Sequence, residues 1–82
     1  MITHKLKINK VFADEVYAGR KKAEVRKDDR HYKVNDRIEF CTVDRLLPVE
    51  HPINNTLWTI THVLREPWAL PNHAILSIER IK

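Results

Sequence analysis

The chain has one glycine, Gly19, and one cysteine, Cys41, among its 82 residues. A single glycine cannot build a glycine-rich loop whose backbone N–H groups wrap a phosphate, so that mode of nucleotide binding is excluded. A single cysteine excludes an internal disulfide and fits a reducing compartment. Aromatic residues are sparse, at 7%, and the interleaved aromatics of an RNA-recognition motif are missing. No apolar run approaches the ~20 residues that a membrane-spanning helix needs, and the opening MITHKLKINK lacks the apolar segment of a secretory leader. A cytoplasmic protein without membrane contact is expected. The five histidines (His4, His31, His51, His62, His73) show neither i,i+2 spacing on a strand nor i,i+4 spacing on a helix. No metal site and no cofactor are therefore expected.

Charge, by contrast, is plentiful. Lys and Arg number 15 against 11 Asp and Glu, for a formal net charge of +4. The first thirty residues carry nine basic and five acidic side chains, which accounts for the whole excess. A positive N-terminal third leans toward anionic partners such as nucleic acid. The length allows one domain, residues 1–82, whose core is too small to enclose a deep private cavity. Any site should be a shallow cleft.

Periodicity gives the order of elements. His4 to Ile8 alternates, with Leu6 and Ile8 on one side, and reads as a strand. NKVFADEVYAG reads as a helix, capped by Asn9 and ended by Gly19, with Phe12 and Val16 one turn apart, as are Ala13 and Tyr17. KKAEVRK alternates again, with Ala23 and Val25 opposite to Lys22, Glu24 and Arg26. DDRHYKVND is a polar connection that Val34 is expected to tuck onto the core. Arg37–Asp44, Thr56–Glu66 and Ala74–Ile81 read as further strands, and the proline-bearing segments RLLPVEHPINN and PWALPNH read as loops. The expected order is β-α-β-β-β-β. Such a chain is α+β and mostly β, with five strands in a small, partly closed barrel that hides its edges.

The stretch GRKKAEVRKDDR, Gly19 to Arg30, holds six basic and three acidic residues. On a strand, Lys22, Glu24 and Arg26 share a face at roughly 6–7 Å spacing, and the stem of Lys21 can reach back over it. Opposite charges on both sides favour an ionised, oriented Glu24. Two arrangements fit: an exposed edge whose alternating charge resists aggregation, or a cluster aimed at one ligand.

Within that stretch, GRKKAEVR carries G-x-K-x-x-E-x-R at Gly19, Lys21, Glu24 and Arg26, and so resembles the signature of ASCH domains in the PUA-like superfamily. The following KDDRHYKVNDRIEF and the closing HAILSIE are similar to a small prokaryotic and phage ASCH-like family. The resemblance implies a barrel crossed by a helix, with a cleft for RNA or a nucleoside-like molecule beside the signature. It implies that Lys21, Glu24 and Arg26 line that cleft. Asn35 stands where the pattern has glycine, in a turn that asparagine tolerates. Some ASCH relatives hydrolyse acetylated cytidine with a Lys and a Thr at the signature; here Lys21 fits, but Glu24 occupies the Thr position.

The expected function is binding of RNA or a nucleotide-like ligand through Lys21, Glu24 and Arg26. Lys27 and Arg30 extend the positive rim, and Trp68, in a proline-stiffened loop, either stacks on a base or caps the barrel. His31 and Tyr32 are weaker rim candidates. One rival is a small amidohydrolase acting on a modified nucleoside, with Lys21 assisting proton transfer. Another is a module for a protein partner, using a strand edge or the Trp68 loop.

Overall fold

Alternation dictates the first strand. In the computed structural model, which describes residues 1–81, β1 spans Thr3–Asn9; His4, Leu6 and Ile8 face inward while Lys5 and Lys7 are exposed. The chain then turns directly into α1, Lys10–Tyr17. The Asn9 side-chain oxygen accepts the Val11 N–H at 3.0 Å, satisfying one of the helix's orphan donors. Gly19 ends the helix at φ +82°, with its N–H donating to the Val16 carbonyl at 3.0 Å. The buried stripe of α1 is Ala13 and Val16, a narrower face than the expected pairs Phe12/Val16 and Ala13/Tyr17. Phe12 lies at the margin of that stripe and remains half exposed.

β2 spans Ala23–Lys27, β3 Arg37–Asp44, β5 Leu57–Leu64 and β6 His73–Ile81. Between β3 and β5 the loop excursion contains a two-residue strand, β4 (Leu47–Pro48), and a 3₁₀ turn, Pro52–Asn55, whose Ile53 is buried. Ile38, Phe40, Trp58, Ile60, Leu76 and Ile78 fill the interior, each on the inward parity of its strand. Val34 does not tuck onto the core. It is exposed, and Tyr32 is the buried hydrophobic residue of that connection, its ring tilted against His4 at 4.8 Å between centroids.

The sheet order is β1-β3-β5-β6-β2, with β4 paired to β3. β1 and β3 run parallel, and the other pairings are antiparallel. The fold is mostly β with one main helix, a sheet curled into a half-barrel. A register shift between Ile60 and His62 marks a bulge that adds local twist. Curling brings together the two terminal strands of the sheet, β1 and β2, which share no ladder. Their seam is where the charged stretch lies. No helix among the described residues is long and apolar enough to cross a membrane.

Candidate functional site

β2 lies at one end of the sheet and places alternate side chains on opposite faces. Glu24 falls on the inner face and is only 5% exposed, whereas Val25 on the outer face is 58% exposed. The charged parity of the strand therefore points inward, unlike a solvated edge run. Lys21 reaches back from the turn after α1 and donates to both the Ala23 carbonyl and Glu24 Oε1, the latter at 2.5 Å. Arg26 meets the other carboxylate oxygen through Nε at 3.2 Å and Nη2 at 3.0 Å. One buried carboxylate thus holds two cations in place.

Arg26 also crosses the seam. Its Nη2 donates to the Lys7 carbonyl on β1 at 2.8 Å, tying the two sheet ends together where no ladder joins them. Nη1 makes no hydrogen bond among the described residues and leaves no buried orphan, so its donors open to solvent. Beside this bridge runs a groove of about 470 Å³ lined by Lys5, Lys7, Arg26, Lys27, Arg30 and Tyr32, with Asp29 the one acid. Lys5, Lys7, Lys27 and Arg30 form no ion pair among the described residues. Their uncompensated charge defines the groove.

The wall of this groove is the β2–β3 connection, which is pinned at several points. Arg65 donates to Asp28 Oδ2 at 2.5 Å and to the Tyr32 carbonyl at 2.7 Å. That guanidinium holds the Asp28 carboxyl below its ordinary range. His31 and Asn35 adopt left-handed φ of 50° and 77°, and the Asn35 N–H reaches the Ile60 carbonyl at 2.8 Å. Behind the groove, His4 Nε2 donates to Asp36 Oδ2 at 2.9 Å, and Asp36 also accepts the backbone N–H groups of Ile2 and Lys33. Burial alone would raise the Asp36 carboxyl. The His4 hydrogen bond and the two backbone donors outweigh it and hold the group below its usual value. Burial pushes the Tyr32 phenol up, while the nearby Arg26 and Arg30 pull it back.

Arg26, Lys27 and Arg30 therefore come together on one groove, and Glu24 fixes the first of them from behind. Lys21 belongs to the same ion cluster but faces a second hollow, beside Tyr17, Gly19 and Trp58. Trp68 is 74% exposed and lies apart from the groove that Arg26, Lys27 and Arg30 share. His31 is exposed, and His4 rather than His31 contacts Tyr32. The sequence reading missed Lys5, Lys7 and the His4–Asp36 pair. His4 did carry a signal, since it shares the inward parity of Leu6 and Ile8, where a polar ring needs a partner. Lys5 and Lys7 carried none, because their place beside β2 depends on the curl of the whole sheet. Among the described residues no three His, Cys, Asp or Glu side chains gather as metal ligands.

A search of curated proteins finds no match. Residues 3–78 match the family model described as Domain of unknown function (DUF3850), and the chain belongs to that family.

Proposed function

We propose that this protein binds RNA or a nucleotide-like anion in the seam between β1 and β2. The observation that carries this reading is the basic groove: five cationic residues against one acid, four of the five without an internal counter-ion. Phosphate oxygens are the ligands that such a set of N–H donors satisfies best, and Arg presents them in a planar fork. Glu24 acts from behind as a positioning residue that keeps Arg26 pointed across the seam, and Lys21 steadies Glu24. Kinship with ASCH domains of the PUA-like superfamily is part of this proposal. Its support is that Gly19, Lys21, Glu24 and Arg26 fall at one helix-to-strand junction, where the last three form a single ion cluster. The cytoplasm is the proposed setting, in keeping with the lone, exposed Cys41 thiol.

The test is fluorescence anisotropy with a labelled RNA oligomer. Affinity is expected to fall steeply with salt, because each phosphate contact releases counterions. Arg30→Glu, a change at an exposed position, is expected to weaken binding about tenfold or more and to flatten the salt slope. Binding that is independent of salt and unchanged in a folded Arg30→Glu protein would overturn the assignment.

A further inference from the structure

Across the Arg26 bridge from the basic groove, and distinct from the hollow that Lys21 faces, the seam opens into a third hollow of about 470 Å³, bordered by Phe12, Val25 and Leu70. These three side chains are 52%, 58% and 68% exposed, which is unusual for large apolar groups gathered in one place. Lys7, Arg26 and Lys27 border both this hollow and the groove, so the two adjoin at the Arg26 bridge. The ammonium of Lys21 lies 5.8 Å from the centre of the Phe12 ring, within cation–π range, and so holds one face of that ring. Through Glu24 the same lysine is linked to Arg26. The ion cluster therefore fixes a guanidinium on one side and an aromatic ring on the other.

The rim supplies hydrogen-bonding groups of both kinds. The Asn9 side-chain oxygen is committed to the Val11 N–H, which leaves the Asn9 amide NH₂ to donate. His73 Nδ1 lies 2.8 Å from the Pro71 carbonyl, an acceptor only, so Nδ1 donates there and, in the neutral imidazole, Nε2 is the acceptor. An apolar floor, an aromatic ring, one donor and one acceptor suit a flat heterocycle with polar edges. Next to the groove proposed above to hold phosphates, a nucleobase is the heterocycle that fits this set.

We infer that the Phe12–Val25–Leu70 hollow receives an unpaired base of a single-stranded nucleic acid whose phosphates run along the Lys5–Arg30 groove. This rests on the anion-binding reading above and narrows its ligand to single strands, because a base inside a duplex cannot leave the stack to reach Phe12 without the cost of unpairing.

The test compares three labelled ligands of equal length with the full chain: a single-stranded RNA, the same strand with abasic residues, and a blunt RNA duplex. The normal single strand is expected to bind about tenfold more tightly than the abasic strand, in the range of one base stacked on an aromatic ring. Phe12→Ala, at a half-exposed helix position where alanine favours folding, is expected to abolish that difference and leave the salt slope unchanged. Phe12→Tyr is expected to retain it. Equal affinity for normal and abasic strands, or a duplex that binds as well as the single strand, would overturn the base pocket and leave the anion groove standing. Failure of all three ligands to bind would overturn the groove as well.

Discussion

Glu24 pairs with two cations through one carboxylate that is nearly sealed from water, one oxygen for Lys21 and the other for Arg26, which leaves the cluster a net positive charge. Truncating Glu24 removes a charged acceptor shared by two cations that themselves keep access to solvent. Glu24→Ala is therefore expected to lower stability by about 2 kcal/mol, read from urea denaturation. It is also expected to weaken RNA binding beyond that of a comparably destabilised core variant, because Arg26 loses its tether. The pairing parity of this cluster was legible in KKAEVRK, since alternation alone sets Lys22, Glu24 and Arg26 apart from Ala23 and Val25. The direction in which that face points was not legible. It is fixed by the pairing of β2 with β6, some fifty residues away in the chain.

At the scale of elements, the connection from β2 to β3 forms no strand of its own and is held by side chains together with single backbone bonds such as Asn35 N–H to the Ile60 carbonyl. Asp36 gathers three donors from β1, from the N-terminus and from the connection itself. Because the folded protein holds this carboxyl below its ordinary value, the stability it contributes is present above the ordinary carboxylate range, near pH 4 and higher. That contribution is lost as pH falls through the lowered native value. Asp36→Asn is expected to cost about 2 kcal/mol at neutral pH, where a charged acceptor is replaced by a neutral one. It is also expected to flatten the acid side of the stability curve; an acid limb identical to that of the unsubstituted protein would show that the Asp36 tie does not hold the connection. The ends of α1 were readable because local chemistry decides them: Asn9 caps its start and the sole glycine its end. Asn35 at the predicted left-handed turn is a similar case. The choice of Tyr32 over Val34 as the buried residue was not readable, since it depends on the His4 ring reached across the sheet.

At the scale of the whole molecule, the order β1-β3-β5-β6-β2 sends the first two strands in the chain to opposite ends of the sheet. A right-handed twist with a bulge in β5 curls those ends toward each other, and the only side chain joining them by hydrogen bond among the described residues is Arg26. The five longer strands and the partly closed barrel followed from periodicity and the need to hide edges, whereas the two-residue β4 did not. The seam did not, because a pairing that fails to form leaves no mark on the pattern of residues. The basic groove and the apolar hollow both belong to that seam, so they stand or fall on its position. The most direct measurement is a titration of isotope-labelled protein with a short single-stranded RNA, followed residue by residue in amide NMR spectra. The largest shifts are predicted at residues 5–9 and 24–32, with Tyr17 and Arg80, which line the hollow that Lys21 faces, unmoved. Shifts concentrated around Tyr17 and Arg80, with the seam silent, would contradict a ligand site between the two sheet ends.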